Sequence, residues 1–127
     1  MKRNEGISSV VSNSKDEFQI TPNFSNAHKF GYMYKYSFDK ISFVEKLFVL
    51  NKNGLLLAYD DANKPPVKVF KLKGCKISKV EEKLFKKKYC FELISEINDK
   101  YKESNIFAAV TEEEFNIWYN DLHKYLK

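Results

Sequence analysis

The last seventeen residues of the chain, 111–127, alternate apolar and polar positions with the period of an α-helix. Thr111 is a favourable N-cap residue, and Glu114 follows at the position where a capping box places its acid. The apolar residues that recur at helical spacing are Phe115, Trp118, Leu122 and then Tyr125 or Leu126. The pattern predicts an amphipathic helix of about three to four turns, which buries the only Trp of the chain.

The chain before this helix shows the shorter period of β-strands. The predicted strands are residues 29–36, 43–50, 55–59, 67–72, 75–80, 88–95 and 104–110. Asn53-Gly54 between the second and third strands is a strong hairpin signal. Seven short strands with hairpin-like spacing favour a mainly β fold, a seven-stranded antiparallel sandwich or partly open barrel. One C-terminal α-helix is expected to cap it, with Phe115, Trp118 and Leu122 as structural residues.

Length and composition restrict the other possibilities. A chain of 127 residues is one domain by length. Residues 1–27 are rich in Ser and Asn and show no periodic pattern, so we expect them to form a flexible tail before a domain at 28–127. No apolar run approaches the roughly 18 residues of a membrane span, so membrane contact is expected to be peripheral. The two cysteines lack metal-ligand spacing, which favours reduced thiols in a cytoplasmic protein.

Charge is distributed unevenly along the chain, whose net charge is +5. Residues 29–88 carry 15 Lys and six acidic residues, whereas residues 89–127 carry four Lys and eight acidic residues. Such a polarised domain is attracted to an anionic surface in one orientation. The alternative is a solvated surface on which charges of one sign happen to cluster.

Six segments, in this order, resemble the pleckstrin homology (PH) domain family. They are residues 31–35 (GYMYK), 43–50 (FVEKLFVL), 54–59 (GLLLAY), 71–75 (KLKGC), 88–93 (KYCFEL) and 107–114 (FAAVTEEE) leading to Trp118. The Lys- and Asn-rich composition further resembles the acylated PH-domain proteins of apicomplexan parasites, which would imply phosphatidic acid as ligand. Lys2 stands where an N-myristoylation motif requires glycine, so the sequence as written carries no such motif.

The resemblance implies a lipid headgroup pocket between the loops that follow strands one and three. Lys35 occupies the position of the family's basic residue near the end of strand one, and Lys46 that of the last basic residue in strand two. Val44 stands where a further basic residue would be. With Lys40 from the loop, this set suits a compact phosphomonoester better than a multiply phosphorylated ring. The alternative is that Lys35 and Lys46 are solvated strand residues.

Further residues are candidates with open alternatives. Tyr59 could hydrogen-bond a headgroup or pack against a neighbouring proline. Phe38 and Ile41 at the tip of the first hairpin could insert between lipid headgroups, or one of them could fold back as a lid on the core. An accessory basic surface is predicted around the loop after strand five: Lys83, Lys86, Lys87 and Lys88. The lysines bordering strand four are open in the same way: Lys64, Lys68, Lys71 and Lys73.

Other classes of function have less support. His28 and His123 are far apart in sequence, and no catalytic triad order, phosphate loop or metal spacing is present, so we expect neither an enzyme nor a cofactor. Nucleic-acid binding is not expected because the aromatics fall mostly at core-facing positions. A monomer that binds an anionic phospholipid membrane is the expected form, and a scaffold for a protein partner is the alternative. The ligand is expected at the corner opposite the helix.

Overall fold

The computed structural model describes residues 24–81 and 87–127. Its strands are β1 (Ala27–Ser37), β2 (Ser42–Asn51), β3 (Leu55–Tyr59), β4 (Lys68–Lys71), β5 (Lys76–Val80), β6 (Cys90–Glu96) and β7 (Lys102–Ala108), and its α-helix is α1 (Glu112–His123). The strands form one antiparallel sheet in the order β4-β3-β2-β1-β7-β6-β5. β4 and β5 are its two edges, so the sheet does not close into a barrel. The predicted fold of seven antiparallel strands and one C-terminal helix is confirmed.

The first strand begins earlier than the sequence pattern predicts. A 3₁₀ turn at Phe24–Asn26 leads directly into β1 at Ala27. The Lys52 backbone N–H donates to the Asn26 carbonyl oxygen at 2.9 Å, which ties this turn to the β2–β3 hairpin. Most of the predicted tail, residues 1–23, lies outside the described residues.

The core fills the concave face of the sheet with aromatic and aliphatic side chains. Phe107 is its centre: its ring stacks on Phe91 at 5.2 Å between centroids and meets Phe48 edge-on at 5.4 Å. A smaller apolar cluster of Leu47, Val49 and Tyr59 covers the other face of the sheet. The middle strands are therefore covered on both faces, which explains why the second half of β2 is continuously apolar rather than alternating.

The helix closes this core as predicted, although it is shorter than its sequence pattern. The Thr111 side chain accepts a hydrogen bond from the Glu114 backbone N–H at 3.1 Å, and Phe115, Trp118 and Leu122 are buried. The helix ends at His123 instead of continuing to the end of the chain. Tyr125 and Leu126 follow in a turn and still pack against the core.

Trp118 is fully buried against β1. The ammonium of Lys29 lies 5.1 Å from its ring centroid and also pairs with the Glu114 carboxylate at 3.3 Å. Gly31 lies beneath the indole, with the site of an added Cβ 3.7 Å from the ring. The indole N–H has no hydrogen-bond acceptor within the described residues. Packing, rather than hydrogen bonding, therefore holds this side chain.

Candidate functional site

The β1–β2 hairpin ends in a tight loop that presents apolar side chains to solvent. Ser37 and Ser42 form its last strand pair, and the Lys40 N–H donates to the Ser37 hydroxyl oxygen at 3.2 Å. Phe38 is 63% exposed and Ile41 is 77% exposed, so neither is a lid on the core. Ile41 also has a φ of 52°, a left-handed conformation that is unfavourable for a β-branched residue.

A cavity of about 330 Å³ lies beside this loop. The residues that line it are Lys35, Tyr36, Ser37, Phe38, Asp39, Lys40, Val44 and Lys46. The structure therefore brings together the three predicted lysines, Lys35, Lys40 and Lys46. The alternation of side chains along β1 and β2 explains the positions of the two that lie in strands. Lys35 follows Met33 by two residues and Lys46 precedes Phe48 by two, so both lie on the face that is core further along the hairpin.

Two acidic residues contact the basic residues at this end of the sheet. Asp60 forms a salt bridge with Lys46, and Glu103 forms one with Lys68 at 3.2 Å. Burial, and then the nearby Lys68 and Lys46 ammonium groups, lower the pKa of Lys35, while Glu103 opposes this shift. Lys35 is thus a half-buried cation in a positive field, and its ammonium hydrogen-bonds the Tyr36 carbonyl oxygen at 3.4 Å.

The contact of Asp60 with Lys46 was not predicted from the sequence. The signal was present in the hairpin register. Asn53-Gly54 sets the turn, Leu47 pairs with Tyr59, and one further step places Asp60 opposite Lys46. Lys68 was noted only as a lysine bordering the fourth strand. Its proximity to Lys35 depends on how β4 curves towards β7, which no local pattern encodes.

The structure does not bring Tyr59 to the cavity. Tyr59 is only 4% exposed and packs with Leu47 and Val49 on the opposite face of the sheet. Burial also raises the pKa of its hydroxyl. A direct bond from Tyr59 to a headgroup in this cavity is therefore not supported, because Leu56 and Ala58 occupy the inward positions of β3 and Tyr59 alternates outward.

The predicted accessory basic surface is described only in part. Lys83 and Lys86 lie outside the described residues. The Lys87 ammonium lies 4.9 Å from the centroid of the Tyr34 ring and 5.7 Å from that of Phe43. Lys87 therefore lies beside the hairpin, next to one aromatic residue of β1 and one of β2. Lys88 is exposed.

Comparison with known families identifies this architecture. The PH domain family matches residues 27–127. The chain belongs to the PH domain family. Proteins of this family are generally binding modules without enzymatic activity. No curated protein sequence matches the chain significantly.

Solved PH domains are similar to this PH domain in fold. The C-terminal PH domain of pleckstrin, solved with D-myo-Ins(1,2,3,5,6)P5, has a TM-score of 0.67 and 21% identity over 80% of this chain and 96% of that one. The Slm1 PH domain with inositol-4-phosphate has a TM-score of 0.63 and 20% identity over 80% and 98%. The same pleckstrin domain from human has a TM-score of 0.65 and 22% identity over 78% and 86%.

Two further features of the described residues bear on the kind of site. None of the helices in the described part of the chain has the length and apolarity to cross a membrane. Across residues 24–81 and 87–127, no three His, Cys, Asp or Glu side chains converge as metal ligands. At the hairpin the described residues present ammonium groups, hydrogen-bonding groups and exposed apolar side chains.

Proposed function

We propose that this PH domain is a membrane-targeting module that binds the headgroup of an anionic phospholipid, phosphatidic acid or a phosphoinositide. Lys35, Lys40 and Lys46 hold the phosphate in the hairpin cavity. The observation that carries the proposal is that this lysine-lined cavity lies directly beside the exposed Phe38 and Ile41. Cations and apolar side chains on one edge match the chemistry of a bilayer surface, where phosphates lie next to acyl chains.

A phosphomonoester suits the electrostatics of the cavity. It carries about −1.5 to −2 charges near neutral pH, whereas Asp60 offers Lys46 a single charge. The phosphate can therefore compete with Asp60 for Lys46. It also stabilises the charged form of Lys35, which burial and neighbouring ammonium groups disfavour in the free protein. The inositol phosphates bound by the pleckstrin and Slm1 domains support this class of ligand.

Exposed apolar residues of the loop add a second contact. Phe38 and Ile41 insert between headgroups while the surrounding lysines meet anionic lipid, each contributing about 1 kcal/mol near the surface. Association is then peripheral, on the cytosolic face of a membrane, and needs no membrane-spanning segment. Lys87, which lies beside the hairpin, and the exposed Lys88 strengthen attraction to the same surface.

Vesicle co-sedimentation tests the proposal. Neutral phosphatidylcholine vesicles are compared with vesicles that also contain phosphatidic acid, phosphatidylinositol 4-phosphate or, at equal charge, phosphatidylserine. Wild-type protein is expected to bind the phosphomonoester vesicles more tightly than the phosphatidylserine vesicles, and Lys35→Ala/Lys46→Ala is expected to lose this preference.

The matched control is Lys76→Ala/Lys79→Ala, which removes the same charge from β5, away from the cavity. It should bind as wild type does. Equal binding to all vesicles, or full binding by Lys35→Ala/Lys46→Ala, would exclude the cavity as a headgroup site and leave the protein-scaffold alternative.

A further inference from the structure

A second basic cavity lies at the far end of β2 from the hairpin loop. Its volume is about 380 Å³. It is lined by Lys52, Asn53, Gly54, Leu55, Lys71, Lys73, Lys124, Tyr125 and Lys127. Lys46 at the edge of the first cavity and Lys52 at the edge of the second are six residues apart along the chain, which corresponds to roughly 20 Å at the rise of an extended strand.

Three separate segments bring five lysines to this cavity. Lys52 comes from the β2–β3 turn, Lys71 and Lys73 from the end of β4, and Lys124 and Lys127 from the turn after α1. Backbone hydrogen bonds join the segments: Leu72 N–H donates to the Gly54 carbonyl at 3.1 Å, and Gly74 N–H to the Leu126 carbonyl at 2.8 Å. The lysines are thus held around one depression by a fixed backbone.

The cavity has little internal compensation for its charge. Among the described residues that line it, none is Asp or Glu. Lys124 contacts Asp121 at 3.3 Å, but within residues 24–81 and 87–127 no ion pair is formed by Lys52, Lys71 or Lys73. Uncompensated ammonium groups that converge on a concave surface concentrate anions there.

Tyr125, which lines the cavity, is held by contacts with its neighbours. The Tyr125 hydroxyl hydrogen-bonds His28 Nδ1 at 2.6 Å, and the two rings meet edge-on at 5.6 Å. Gly54, with a φ of 85°, lies against the Tyr125 ring, where an added Cβ would be 3.8 Å from a ring carbon. The last helix carbonyls are engaged by the backbone N–H groups of Lys124 and Tyr125, which limits their repulsion of an anion.

We propose that this second cavity binds a compact anion that carries several phosphomonoester groups. Five lysines exceed what one phosphate needs, and a concave volume of this size suits a small molecule rather than an extended acidic chain. With the hairpin loop at a membrane, the cavity faces away from that membrane. The phosphate groups therefore reach it either on a soluble molecule or on the headgroup of a second membrane.

Amide NMR with myo-inositol hexakisphosphate as the probe tests this proposal independently of membrane binding. Gly54 lines the cavity and Gly74 directly follows the lining residue Lys73, so their amides report on it, and Gly31, beneath Trp118, is the internal reference. At an ionic strength of about 0.15 M, saturable shifts are expected at Gly54 and Gly74 in the wild type and in Lys35→Ala/Lys46→Ala. Lys71→Gln/Lys73→Gln should weaken this binding by roughly tenfold or more, the effect of losing two charged contacts.

The control Lys76→Gln/Lys79→Gln removes equal charge from β5 and should bind the probe as the wild type does. Lys71 and Lys73 are exposed, so an unchanged melting temperature will show that their variant is folded. Absence of saturable shifts at Gly54 and Gly74, or equal weakening by both glutamine variants, would overturn the proposal.

Vesicle clustering then distinguishes the two sources of phosphate. Light scattering follows vesicles that contain phosphatidylinositol 4,5-bisphosphate, whose headgroup carries two phosphomonoester groups, after protein is added. Clustering that is lost in Lys71→Gln/Lys73→Gln supports the proposal with a membrane-borne ligand. Saturable Gly54 and Gly74 shifts without clustering support it with a soluble ligand.

Discussion

The helix end and the hairpin-loop end of this PH domain differ in the burial of their apolar residues and in the pairing of their lysines. At the helix end Trp118 is fully buried, whereas at the loop end Ile41 is 77% exposed and in a left-handed conformation. Both ends have a lysine of β1. Lys29 is paired with Glu114 over the indole, but Lys35 remains half-buried in a positive field. Stability is thus concentrated at one end, and unfavourable features that suit ligand binding lie at the other.

The largest expected effect is at the helix end. Trp118→Ala should destabilise the domain by about 3–5 kcal/mol, the range for a buried large-to-small change. Trp118→Phe should cost less, because an aromatic ring is retained and the indole N–H has no acceptor among the described residues. Urea unfolding followed by circular dichroism measures both variants. An unchanged free energy of unfolding for Trp118→Ala would contradict the role of the helix as the closure of the core.

At the loop end, Lys35→Met should separate binding from stability. Methionine keeps the apolar stem of the side chain in place and removes an ammonium group that burial disfavours. Binding to phosphatidic acid vesicles should fall roughly tenfold, as expected for the loss of one charge-assisted contact, while the unfolding free energy stays the same or rises. A clear loss of stability would show that Lys35 is a structural residue.

Replacement of Ile41 tests whether the loop conformation is retained for function. Ile41→Gly should stabilise the domain by about 0.5–1 kcal/mol, because relief of the left-handed strain exceeds the added freedom of the unfolded chain. Vesicle binding should nevertheless weaken, since the exposed apolar side chain is lost. Ile41→Asn is the matched comparison, because asparagine tolerates this conformation but is polar. Unchanged vesicle binding by both variants would exclude insertion of Ile41.

Local periodicity predicted the features whose causes are local. The helix pattern predicted the burial of Trp118, and Asn53-Gly54 predicted the β2–β3 hairpin. Period-two alternation along β3 places Tyr59 outward, so the structure gives no support to its predicted contact with a headgroup in the hairpin cavity. The salt bridge of Lys46 with Asp60 follows from the same hairpin once its register is counted. Both placements can be derived from the sequence by counting along the hairpin.

The second cavity was beyond such reasoning. Its lysines belong to a turn, a strand end and the residues after the helix, and they meet only because α1 returns across the sheet. The sequence analysis placed the ligand at the corner opposite the helix. That prediction took account of the acidic first turn of α1 but not of the basic residues that follow its end. The way in which distant segments converge depends on the angles at which they pack. A count of charges along the sequence contains no information about those angles.

The smallest expected effect is the pH dependence of the loop end. Burial lowers the pKa of Lys35 in the folded protein from its ordinary value of 10.5, so the unfolded chain holds this proton more tightly. Stability contributed by Lys35 is therefore absent at neutral pH, increases as pH rises through the folded pKa and is complete above the unfolded pKa. Membrane binding changes in the opposite direction, because the ammonium that holds the phosphate is lost over the same range. The unfolding free energy from urea and the affinity for vesicles are measured between about pH 8 and 10. With rising pH the unfolding free energy should increase and the affinity should fall more in the wild type than in Lys35→Met. Parallel curves for the two proteins would show that the pKa of Lys35 is not lowered in the folded protein.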